Sequence, residues 1–271
     1  MKRALVVLVL AAACSSNGTP SAEPTATTAP HSISQGSAAA VLEKAIRPAV
    51  TGTAAFDQTV LVGIEGGIGK VTQKGSFDAK AKTWQSELTL TAPASKTEPQ
   101  SIDFVGTSTA AYIQSKAWTG DLKGKWLKYD AAKLDGVSGV GDDLSDGLPP
   151  VALALSDAKA VSGKVDGDTT RIVVTISAVD ALVLENLKNG LTSLKVDLAS
   201  ITGTASAIVT VKDGTLVSLS LPITALSAVQ GKLPAPISQL ANQTSVEVAF
   251  SNLGKPVSIH VPTDDELGKA P

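Results

Sequence analysis

A single cysteine in 271 residues, Cys14, excludes any disulfide within the chain. Histidine is nearly as scarce, with only His31 and His260. Neither has the cysteine or carboxylate company that a metal site or a nucleophilic triad requires. Aromatic residues make up 3% of the chain, so the core must be built from Val, Leu, Ile and Ala. Eight of the nine aromatics lie between Phe56 and Tyr129, and the ninth is Phe250. There is no excess of either charge: 23 Lys and Arg stand against 25 Asp and Glu, for a net charge of -2, with no basic stripe. That excludes nucleic acid as a partner.

The longest apolar run, Ala4 to Ala13, contains only Ala, Leu and Val and follows the cations Lys2 and Arg3. This is the order of an export signal. Its ten residues fall short of the roughly 20 needed for a bilayer-spanning helix. Ala11, Ala12 and Ala13 lead directly into Cys14, resembling the lipobox of bacterial lipoproteins, in which the cysteine is acylated and becomes the mature N-terminus. Residues 1–13 are then a signal peptide and Cys14 the lipid attachment site. From Ser15 to His31 there is no large apolar residue, and Ser, Thr, Pro and Ala dominate. Such a segment cannot bury enough surface to offset its chain entropy, so residues 14–33 form a lipidated, disordered linker. The folded domain is expected over 34–262, with a C-terminal tail at 263–271.

Within that domain the sequence predicts a helix from Ser37 to Pro48, with Val41, Leu42, Ala45 and Ile46 on one face. Period-two alternation follows at Val60, Val62 and Ile64, at Leu88 and Leu90, and around Phe104, Tyr112 and Trp126. About six such strands in a row predict an antiparallel meander with one wet face. The turn-rich stretch Asp135 to Gly147 precedes a short helix opening at Pro149 and Pro150. Strands return around Val161 and Ile172, then a helix from Val179 to Leu194, then a hairpin turning at Asp213-Gly214. A last hairpin pairs Val246, Val248 and Phe250 with Val257, Ile259 and Val261. One curled antiparallel sheet with an apolar face needs a cover, and the helices supply it. The fold class is α+β.

Catalytic motifs fail in detail. GVSGVG misses the nucleophile elbow because Val140 holds the final glycine position. GIEGGIGKVT is no phosphate loop, since Val71 replaces the Ser or Thr after Lys70, and its glycines mark a turn between the first two strands. Asp142, Asp143 and Asp146 lack the spacing and closing Glu of a calcium loop. The expectation is a non-enzyme with no metal and no cofactor.

The lipobox, the polar linker, the meander containing AYIQSKAWTGDLKGKWLKYD (Tyr112 to Asp130) and the closing GKPVSIHVP (Gly254 to Pro262) together resemble the mycobacterial LppX/LprAFG lipoprotein family. The resemblance implies a half-barrel like that of the carriers LolA and LolB: a curved antiparallel sheet with helices on its concave face, enclosing an apolar cavity that binds or moves envelope lipids. It further implies a membrane anchored, extracytoplasmic monomer that takes lipid or glycolipid and meets an envelope transporter. The candidate cavity lining is Val60, Val62, Leu88, Leu90, Ile172, Val174, Val209, Val217, Leu219, Val246 and Val248. The same residues serve equally as ordinary core, and the alternative is a structural or partner-binding lipoprotein with a filled interior.

Overall fold

A computed structural model describes residues 29–64, 67–91, 99–130, 148–187, 191, 194–226 and 233–269. Twelve strands form one open antiparallel sheet: β1 (His31–Ile33), β2 (Thr53–Ile64), β3 (Gly67–Asp78), β4 (Thr83–Thr91), β5 (Gln100–Thr107), β6 (Ala110–Ser115), β7 (Leu127–Asp130), β8 (Lys159–Asp166), β9 (Thr169–Ser177), β10 (Thr204–Lys212), β11 (Thr215–Leu221) and β12 (Thr244–Ser251). Their spatial order is β1-β8-β9-β10-β11-β12-β2-β3-β4-β5-β6-β7. The run β2 to β7 is the expected meander. The second half of the chain returns beside it, joined where β12 pairs with β2. The sheet is a curved half-barrel with α1 (Gln35–Val50), α2 (Pro150–Asp157), α3 (Ala178–Leu184) and α4 (Ala235–Ala241) as its cover.

Alternation sorts the two faces as the sequence implies. Asp57, Lys74, Glu87 and Lys116 sit on the wet face, with Lys74 3.3 Å from Asp57 and Lys116 2.7 Å from Glu87. On the other face one apolar cluster runs continuously from α1 through the sheet to α2 and α3. The Asp213-Gly214 turn has φ of 50° and 73°, the left-handed pair that a two-residue hairpin needs.

Four sequence expectations require correction. Helix α1 starts at Gln35 rather than Ser37, because Ser34 is the cap and its hydroxyl accepts from the Ser37 amide at 3.2 Å. Pro48 removes only one backbone bond so near the end, and α1 runs on to Val50. The predicted helix from Val179 to Leu194 is interrupted after Leu184, where Asn186 adopts φ 57°, and Leu191 beyond the break is again helical. Ordered pairing also begins inside the predicted linker, where His31–Ile33 lie against Gly163–Val165 of β8.

GKPVSIHVP is not the partner of β12, whose two edges are already taken by β11 and β2. The segment instead crosses the wet face. Gln85 clasps its backbone twice, donating to the Ser258 carbonyl (2.9 Å) and accepting from the His260 amide (3.1 Å). Residues 264–266 then form a turn, and Leu267 bridges Trp126, whose amide donates to the Glu266 carbonyl at 3.0 Å. This strap covers a second, small apolar cluster of Val105, Ala110 and Tyr112, packed by Trp126, Ile259 and Leu267. The stretch Asp135 to Gly147 lies outside the described residues.

Candidate functional site

The concave face of the meander is ordered in rows that run across the strands. Pairing aligns Ala54, Phe77, Trp84, Gly106 and Ala111 in one row, and Phe250, Phe56, Gly75, Ser86, Phe104 and Ile113 in the next. These two rows form an aromatic floor, with the Phe56 and Phe77 rings 6.3 Å apart. The third row is Val248, Gln58, Gln73, Leu88 and Ile102, and the fourth Val246, Val60, Val71 and Leu90. A band of polar groups therefore separates aromatic floor from aliphatic rim. Gln73 donates to the Ser86 hydroxyl at 2.8 Å, and buried Gln58 donates to the Leu184 carbonyl at the end of α3 at 2.9 Å.

The predicted lining residues divide along this axis. Val60, Ile172, Val174, Val209, Leu219, Val246 and Val248 are completely buried and form one aliphatic wall from β9 to β2. Val62 and Leu88 are half-buried, packed against the core from its rim. Leu90 lies one row further out, 41% exposed. Val217 is the exception. A β-bulge shifts the register between Thr210 and Val211, so Leu216 takes the inward position and Val217 points to solvent.

Between α1, α2 and β8 an open groove of about 660 Å³ is lined by Gln35, Ala39, Leu42, Glu43, Ile46, Ser156, Lys159 and Ala160. Leu42, Ile46 and Ala160 also belong to the main core, so the groove floor and the interior are one apolar layer. Gln35 closes one end by donating to the Ala160 carbonyl at 3.0 Å. The volume lies within the range of small-molecule pockets, and the mixture of apolar floor and polar rim is the usual one.

Sequence reasoning missed Glu185. It follows α3 directly, is 1% exposed, and among the described residues neither carboxyl oxygen has a hydrogen-bond partner. Burial pushes its pKa up to about 8, which favours the neutral carboxyl. The signal was a lone acid in the apolar run ALVLENL, which helical spacing alone treats as a surface position.

Among the described residues, no group of three His, Cys, Asp or Glu side chains could hold a metal, and no helix is long and apolar enough to cross a membrane. His31 is exposed at the start of β1, and His260 pairs with Glu266 at 2.9 Å on the strap. Cys14 lies outside the described residues.

No family model and no curated protein sequence matches the chain. Solved structures do. LprF from Mycobacterium bovis is similar over 84% of this chain and 97% of its own, at 14% identity and a TM-score of 0.42. A DUF1329 family protein from Desulfovibrio piger is similar over 83% of this chain and 94% of its own, at 8% identity and a TM-score of 0.33. Nothing about function follows from likenesses this distant.

Proposed function

We propose that the protein is a non-enzymatic lipoprotein of the cell envelope, tethered through an acylated Cys14 to the extracytoplasmic face of the membrane, whose half-barrel binds a lipid or glycolipid and passes it onward. The observation that carries this reading is the layered concave face: an aliphatic wall bounded by a narrow polar band, with its rim at Leu88 and Leu90 incompletely covered and an open groove beside α1. Acyl chains need a smooth apolar surface, and each methylene removed from water contributes about 0.8 kcal/mol. Two long chains would supply ample affinity by desolvation alone. The short helices α2, α3 and α4 are the parts that would shift to admit them, and the linker would give the domain reach from its anchor.

A filled-core, partner-binding lipoprotein is the second reading, favoured by the complete burial of seven of the predicted lining residues. Uptake of a fluorescent long-chain acyl probe separates the two. A Leu88→Trp variant, which crowds the half-covered rim, is expected to reduce uptake while leaving thermal stability unchanged. Absence of saturable uptake by the unmodified protein would favour the filled core.

A further inference from the structure

Glu185 presents a chemical problem that the fold does not solve. A carboxyl group buried without any hydrogen bond is destabilising, and buried polar groups in native proteins are almost always satisfied. Here both oxygens lack a partner among the described residues. The side chain is not tolerated for want of an anchor nearby, since Gln58 from β2 spends its amide on the adjacent carbonyl of Leu184, fixing the end of α3 against the polar band of the concave face. Among the described residues no cation compensates it either, and burial is what raises its pKa. A neutral carboxyl offers an O–H donor beside a carbonyl acceptor. Its natural complement is a group that both donates and accepts, and a hydroxyl is the smallest one. A quaternary ammonium has no N–H, and an ester oxygen can only accept.

We propose that Glu185 is the polar anchor of the interior and selects an amphiphile carrying a free hydroxyl next to its acyl chains, over the same amphiphile with that hydroxyl esterified. This rests on the lipid-binding reading above and narrows it to one class of ligand. In such a complex the chains lie along the aliphatic wall, and the hydroxyl sits at the level of the Gln58, Gln73 and Ser86 band. Removal of the carboxyl would leave the wall, and hence binding, intact but would abolish the choice between ligands.

Native mass spectrometry of the full-length protein, incubated with an equimolar mixture of dioleoylglycerol and its 3-O-acetyl ester, tests this directly. The free alcohol is expected to occupy the protein in about three- to tenfold excess, the contribution of one net hydrogen bond. Glu185→Leu should bind both lipids equally, and Glu185→Gln, which keeps a donor and an acceptor, should retain the preference. Retention of the preference in Glu185→Leu, or in Glu185→Met should the Leu variant fail to fold, would overturn the inference. Equal occupancy by both lipids in the unmodified protein would overturn the inference and leave the lipid carrier standing. Binding of neither would overturn both.

Discussion

The indole of Trp84 lies across Gly106, its directly opposed partner on β5, so closely that a β-carbon on the glycine would overlap the ring nitrogen. One row away, the Phe56 ring covers Gly75 in the same manner, 2.8 Å from where a β-carbon would stand. Glycine on one strand thus makes room for the aromatic of the next, and the scarce aromatics are concentrated in a floor two rows deep. Gly106→Ala must displace the ring or part the strands. Overpacking of this kind costs about 1–3 kcal/mol. Denaturant unfolding is expected to show that loss, together with a shift in tryptophan emission; unchanged stability would mean that the floor yields freely.

Glu185 should make stability depend on pH. Its pKa is raised by burial from 4.5 to about 8, so the folded state holds a proton that the unfolded chain releases at lower pH. The contribution of the neutral carboxyl is complete below about pH 4.5 and declines as pH rises toward 8, with a limiting slope of about 1.4 kcal/mol per pH unit. Above that it is flat. Glu185→Gln removes the titration, so urea midpoints measured from pH 5 to 9 should lose this decline and exceed those of the unmodified protein at the alkaline end.

The strap has the opposite dependence. The Thr263 amide donates to the Glu266 carboxylate at 2.8 Å, and His260 and the Thr263 hydroxyl add to it, lowering the Glu266 pKa to about 2. Its contribution is complete above the ordinary carboxylate range and is lost as pH falls from 4.5 toward 2. Glu266→Gln is expected to accelerate hydrogen exchange at the Trp126 and Gly268 amides, which bond across this junction, without changing exchange in β9 or β10. Protection at Trp126 equal to that of the unmodified protein would show the strap to be held by packing alone.

Replacement of Cys14 tests the tether independently of any cargo. Cys14→Ala should move the protein from the membrane fraction to the medium, with loss of metabolic labelling by palmitate. Retention of label on the Ala variant would place the acyl group elsewhere.

The sequence made the meander and the wet-versus-apolar sorting legible because period-two alternation is a local signal, clear at Val60, Val62, Leu88 and Leu90. The Asp213-Gly214 turn was legible for the same reason. Where a long-range contact decides the outcome, the pattern misled. Val257, Ile259 and Val261 alternate as well as any strand does, yet both edges of β12 are filled and they form a strap instead. Val217 alternates in phase with Leu219, and only the bulge reverses it. The groove was invisible because it joins Gln35 of α1 to Ala160 of β8 across more than a hundred residues. Glu185 is likewise defined by its surroundings, and a carboxyl in a helical run carries no mark of burial.

On the proposed function, the interior of the half-barrel holds a lipid. Native mass spectrometry of the full-length protein from an actinobacterial host, followed by organic extraction, measures this most directly. A lipid-filled interior would yield a diacyl or triacyl species at near-stoichiometric amount. A ligand-free protein that also fails to take up added lipid would contradict it and identify the concave face as core.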